Sequence, residues 1–91
     1  MEQTAKHVIF RGRVQGVGFR YTTHSVARQY AVAGFVRNQP DGSVEMLVQG
    51  DATEIDNFIA DVQAEFAGHI RDTQIEPAVF SPHYTDFRIV L

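Results

Sequence analysis

The sequence predicts an α+β fold, a two-layer sandwich in which two helices cover one face of an antiparallel sheet. Three observations predict it. Short β-branched or alternating apolar segments recur along the chain, helical apolar periods fall between them, and glycine-rich or Pro-Asp-Gly punctuation separates the two kinds. Ninety-one residues suffice for one core and not for two, so residues 1–91 are read as a single domain.

The elements follow in order. Val8-Ile9-Phe10 reads as a buried strand. Thr22 or Thr23 can cap a helix running to about Ala33, with Val26, Ala27, Tyr30 and Ala31 on one face and Gly34 as its stop. Phe35-Val36-Arg37-Asn38 is a second strand. Pro40-Asp41-Gly42 supplies a fixed φ and then a position that tolerates a positive one, which is turn chemistry. Val44, Met46 and Val48 alternate with Glu45, Leu47 and Gln49, so residues 35–49 form a hairpin. Ile55, Phe58, Ile59, Val62 and Phe66 keep a 3.6-residue period. Asp51 or Thr53 can cap that second helix, Glu54 and Asp56 suit its positive end, and Gly68 ends it. Residues 73–80 form a strand that Pro77 assigns to a sheet edge. Asp86 to Leu91 closes the chain with Phe87, Ile89 and Leu91 on one face. The order is βαββαβ plus one terminal strand or turn, and its economical packing is the split βαβ or ferredoxin-like architecture.

Composition narrows the chemistry. The chain has no cysteine, which removes disulfides, thiol nucleophiles and zinc ribbons. No apolar run approaches the ~18 residues of a membrane span, and Met1 to His7 has no long apolar core of a signal peptide. A cytoplasmic protein without a membrane partner is expected. The net charge of −3 is unevenly distributed. Residues 1–38 carry Lys6, Arg11, Arg13, Arg20, Arg28 and Arg37 against Glu2 alone, a balance of +5; residues 39–91 carry ten acids against Arg71 and Arg88, a balance of −8. A positive field on the N-terminal half suits a small anion better than a nucleic-acid backbone, unless folding mixes the halves.

Residues 12–20, Gly-Arg-Val-Gln-Gly-Val-Gly-Phe-Arg, are the chemical centre of the sequence. A two-glycine loop follows a strand and an arginine closes it where a helix is about to begin. Such a loop lets backbone N–H groups converge on a tetrahedral anion while a guanidinium neutralises it. A cation at that end of a helix is unfavourable unless an anion shares the site. The loop is not a dinucleotide fingerprint, because Tyr21 stands where its third glycine would be, and no Gly-Lys-Ser/Thr of a Walker loop follows. Asn38 on its own reads as a residue that helps start the turn. His7, His24, His69 and His83 show no ligand spacing and read as surface or satisfied polar residues. Phe19 and Tyr21 read as packing residues, and Arg13 as a solvated one.

Residues 12–20 resemble the acylphosphatase signature Gly-x-Val-Gln-Gly-Val-x-Phe-Arg. The family's second signature is matched by Gly34-Phe35-Val36-Arg37-Asn38, then Asp41-Gly42-Ser43-Val44 and Gly50. Both motifs lie within residues 10–50; residues 68–85 lack the Gly-Pro the family often carries after its second helix. The resemblance implies hydrolysis of acyl phosphates to a carboxylate and inorganic phosphate. It also implies a phosphate-binding loop of Gln15, Gly16, Val17, Gly18, Phe19 and Arg20, with Asn38 orienting the attacking water. No cofactor, no metal and a monomeric state are expected. A carboxylate leaves readily because its conjugate acid has a pKa of about 4, so no protein acid has to protonate it.

Three other readings fit parts of the chain. A non-catalytic sensor would bind phosphate on the same loop without turnover. The acylphosphatase-like domain of hydrogenase-maturation carbamoyltransferases resembles residues 10–45, but the cysteine-rich regions that follow it there have no counterpart here. An RNA-binding module of the same plan would carry stacking aromatics on its third strand, where Ser43 to Gln49 has none, so no nucleic-acid partner is expected.

Overall fold

In the computed structural model, which describes residues 3–91, five strands form one sheet ordered β4-β1-β3-β2-β5. They are β1 (Gln3–Gly12), β2 (Val32–Asn38), β3 (Val44–Asp51), β4 (Ile70–Ala78) and β5 (Phe87–Val90), with helices α1 (Phe19–Ala27) and α2 (Ala52–Glu65). Met1 and Glu2, which entered the charge balance and the leader reading, lie outside the described residues. The first four strands pair antiparallel, and β5 adds parallel to β2 at the sheet's edge. Both helices pack on one face, over Val8, Phe10, Val36, Val44, Met46 and Val48, all fully buried. Ile55, Phe58, Ile59 and Val62 of α2, Phe19, Val26 and Ala27 of α1, and Val14, Phe66 and Phe87 add to that core.

Several boundaries differ from the sequence reading for identifiable reasons. β1 is longer than Val8-Ile9-Phe10 because it pairs on both sides, with β3 and β4. Ladder bonds on two sides carry the polar residues before Val8 into the sheet. The first helix is shorter and earlier than expected: it starts at Phe19 and is capped at Arg28, so Thr23 is buried inside it and Thr22 caps nothing. Gly34 does not stop a helix. It lies within β2 at φ +140°, where a Cβ would sit 1.9 Å from the Leu47 carbonyl oxygen. The close approach of β2 to β3 requires glycine there.

The Pro40 turn closes as expected, with Gln39 N–H bonded to the Ser43 carbonyl and Gly42 N–H to the Gln39 carbonyl. Asp51 caps α2 through Thr53 N–H at 2.9 Å, and Pro77 stands on edge strand β4. Leu91 departs from its assigned face, whereas Gln49 keeps its own. Gln49 lies on the helix-free face yet is buried, because residues 79–86 must cross the sheet to connect its two edges. Its amide donates to the Ser81 and Tyr84 carbonyls and accepts from Ser81 N–H, fastening that crossing. Leu91 extends past β5 fully exposed, whereas Phe87 is buried and Ile89 half-buried.

Candidate active site

The loop between β1 and α1 is shaped by Gly16 and Gly18, at φ +74° and +75°, the left-handed region that costs other residues roughly 1–2 kcal/mol. No side chain caps α1, since its N-cap is Gly18, and its first turn holds no acid. The first intrahelical bond is from Thr22 N–H to the Gly18 carbonyl at 3.0 Å. The N–H groups of Phe19, Arg20 and Tyr21 precede it and have no partner within the helix, so they stand at its positive end.

Packing holds this loop in place. The Phe19 ring is wedged between Phe10 of β1 and Phe66 at the end of α2, with centroids 5.1 and 4.3 Å away. The Gln15 amide donates to the carbonyls of Gln39 and Ser43, each at 2.8 Å, and so ties the loop to the β2–β3 turn. That turn is stiffened by Asp41, whose carboxylate accepts from the hydroxyl and the backbone N–H of Ser43. The hydroxyl bond, then the backbone one, holds the Asp41 carboxyl below its ordinary pKa.

Between loop and turn lies a cavity of about 120 Å³ bordered by Val14, Gly16, Gly18, Phe19, Arg20, Tyr21 and Asn38. It joins the two sequence motifs, residues 12–20 and 34–38. Gln15 and Val17 do not border it: the Gln15 side chain serves the turn, and Val17 is exposed at the loop's tip. Val14, fully buried, and Tyr21 border it although neither was singled out for the site. Tyr21 is not a packing residue, being 72% exposed. Two residues, about 200° of helix, separate it from the buried Phe19. A helix begun at Phe19 gives that signal, but one begun at Thr22 hides it. Larger hollows of about 340 and 400 Å³ both border Tyr30, Val32 and Thr85, at the opposite end of β2 from Asn38.

The charges of the two halves do mix. Lys6 pairs with Asp56 at 2.7 Å, Arg11 lies 3.8 Å from Asp72, and Arg37 pairs with Glu45. Arg13 donates to the Gly68 carbonyl. Among the described residues no carboxylate lies within 4.0 Å of Arg20, whose one protein hydrogen bond is Nη1 to the Val90 carbonyl at 3.3 Å. A guanidinium has five N–H donors, so most of this one's capacity is uncommitted. Arg20 thus keeps its charge unpaired at the cavity border, while Lys6, Arg11 and Arg37 are neutralised by acids of the C-terminal half.

Asn38 shares the helix side of β2 with Val36, two residues before it. Its Oδ1 is buried with no hydrogen-bond partner, a condition shared among the described residues only by Thr23 Oγ1. A buried acceptor left unpaired costs about 1–3 kcal/mol, and such groups mark sites that accept a ligand or water. The histidines stay apart from the cavity. His7 Nε2 meets Glu45 Oε2 at 2.7 Å, and no cluster of three His, Cys, Asp or Glu suited to a metal occurs among the described residues. No helix among them is long and apolar enough to cross a membrane.

A sequence model of the family described as Acylphosphatase matches residues 6–89. An acylphosphatase of Treponema denticola is 42% identical over 85 residues, covering 93% of this chain and 90% of that protein. One of Lactobacillus gasseri is 37% identical over 81 residues, covering 87% and 89%. Among solved structures, the crystal structure of acylphosphatase from Bacillus subtilis superimposes with a TM-score of 0.85 at 30% identity, over 97% of this chain and 99% of that one.

Proposed function

The chain belongs to the acylphosphatase family, and from that premise we propose that Arg20 clamps the phosphoryl group of its substrate while Asn38 positions the attacking water. The enzyme hydrolyses the carboxyl-phosphate bond of acyl phosphates, giving a carboxylate and inorganic phosphate. One observation carries the division of labour. A guanidinium free of carboxylates and a buried, unpartnered amide oxygen border the same cavity at an uncapped helix start.

The phosphoryl oxygens fit against the guanidinium and the N–H groups of the first turn, where backbone dipole and formal charge act in the same direction. These donors are fixed before substrate arrives, so charge developing on the equatorial oxygens is met without reorganisation. A water between Asn38 and the phosphorus donates one hydrogen bond to Oδ1, which turns a lone pair toward phosphorus. The water oxygen forms its bond to phosphorus as the phosphorus–acyl oxygen bond breaks. That electron pair departs on the carboxylate, and the water proton passes to the phosphate being formed. Positioning and electrostatics supply the catalysis, so this scheme asks for no metal and no protein acid. The working form is a cytoplasmic monomer, and size-exclusion chromatography with light scattering tests the oligomeric state.

The test is hydrolysis of benzoyl phosphate in excess EDTA by the wild type, Arg20→Ala and Asn38→Ala, with phosphate binding followed by calorimetry. Arg20→Ala is expected to lose binding and turnover together. Asn38→Ala is expected to lose turnover and keep phosphate. Near-normal rates in Asn38→Ala would refute its role. Phosphate binding by a wild type without turnover would make the protein a sensor.

A further inference from the structure

Tyr21 is large, exposed and unattached. Among the described residues its hydroxyl makes no hydrogen bond and its ring no aromatic contact. It nevertheless borders the cavity that holds Arg20 and Asn38. Helical side chains lean toward the N-terminus and cover the turn before their own Cα. In the third position of α1, Tyr21 therefore leans toward the loop and the cavity mouth. Val17, 40% exposed between Gly16 and Gly18, adds an aliphatic surface on the loop itself.

With Arg20 as clamp and Asn38 as water positioner, the phosphoryl group and the attacking water lie between them, and the cavity of about 120 Å³ is open to solvent on the side of Tyr21. The acyl group leaves the phosphorus toward that opening. We propose that Tyr21 selects the acyl group, favouring acyl phosphates whose acyl part is a planar aromatic ring over those with a small acyl part. This rests on the reading of the cavity as the site of acyl-phosphate hydrolysis. A tyrosine ring offers a rigid apolar face with only two side-chain torsions to fix, and an aromatic acyl group stacks on it in offset or edge-on geometry. An acetyl group is too small to cover the ring. The contact lies away from the reacting phosphorus, so it acts alike in the ground and transition states and appears in KM rather than kcat.

The experiment compares kcat and KM for benzoyl phosphate and acetyl phosphate in the wild type, Tyr21→Ala and Tyr21→Phe, with circular dichroism as the check on folding. Tyr21→Ala is expected to lower the benzoyl-to-acetyl ratio of kcat/KM by roughly two- to tenfold, the range of an aromatic pair, through a raised KM for benzoyl phosphate. Tyr21→Phe should restore the ratio, because the ring and not the hydroxyl makes the contact. If Tyr21→Ala leaves the ratio unchanged while both substrates turn over, the selection proposed for Tyr21 is wrong and the assignment of the cavity stands. If the wild type hydrolyses neither substrate, both fail.

Discussion

Replacing Asn38 with leucine should make this protein more stable and less active. The two side chains have the same number of heavy atoms and the same branching, so the change removes the polar atoms without opening a cavity. Asn38 Oδ1 is buried without a hydrogen-bond partner in the protein, so its desolvation costs up to about 1–3 kcal/mol, less whatever a bound water returns. Strand β2 also prefers leucine to asparagine. Against these gains stands the methyl group that replaces the amide nitrogen at a half-buried position. The balance is a gain of about 1 kcal/mol, which in a domain of this size raises Tm by about 4–8 °C. The assay is thermal and urea unfolding beside benzoyl phosphate turnover on the same preparation. The urea midpoint should rise by roughly 0.5 M with an unchanged slope, and kcat should fall about 100-fold or more, the cost of misplacing a reacting group. A variant that loses stability along with activity would refute the reasoning, since Asn38 would then be a structural residue whose loss damages the site indirectly. A more stable variant with wild-type kcat would refute the catalytic half alone.

Thr23→Val tests the same physics away from Asn38: among the described residues Thr23 Oγ1 is the other buried side-chain oxygen without a protein partner, and its removal should raise stability by about 1 kcal/mol, read as the urea midpoint. Glycine substitutions should separate strain from collision. At Gly18 an added Cβ meets nothing within 4 Å, so Gly18→Ala costs only the strain of φ +75°, roughly 1–2 kcal/mol, whereas Gly34→Ala drives a Cβ to 1.9 Å from a backbone oxygen and should abolish cooperative unfolding by circular dichroism. Burial is the largest single influence on the Glu45 carboxyl and opposes its charge, but the bonds and charges of His7 and Arg37 outweigh it and hold the pKa below its ordinary value. A depressed folded-state pKa contributes stability above the unfolded value of about 4.3 and loses it as pH falls through the folded one, so Glu45→Gln should flatten the acid limb of a stability–pH curve below about pH 4.3.

Much of this fold was legible because local and tertiary demands coincide. The apolar period of α2, the Pro40 turn and the edge position implied by Pro77 each have one physical reading, the sequence narrows the α2 cap to Asp51 or Thr53, and the structure has those features with Asp51 as the cap. The misread positions are those where tertiary contacts outweigh local signals. Gly34 looked like a helix stop because glycine usually is one, and only the nearness of Leu47 in the neighbouring strand explains it. Alternation put Gln49 on the correct face of its strand, but nothing local shows that a segment more than 30 residues away buries it there. At the site, the loop pattern points to Arg20 and the glycines and the family resemblance to Asn38, and these residues border one cavity. Tyr21 was hidden by a helix cap placed four or five residues late, at Thr22 or Thr23 instead of Gly18, and the dependence of the loop on Gln15 was hidden because its partners, Gln39 and Ser43, lie beyond the loop motif.

The bond from Arg20 to the Val90 carbonyl joins residues 70 apart in sequence. Loop and helix start are local features, yet among the described residues the one group that hydrogen-bonds the guanidinium sits on the C-terminal strand. Closing so long a stretch of chain is entropically costly and is repaid only by the contacts of the assembled sheet. The arginine thus acquires its final orientation only when β5 docks beside β2. Enzymatic competence during refolding should therefore report the arrival of the C-terminal strand, which makes regain of turnover a clock for the completion of the whole topology.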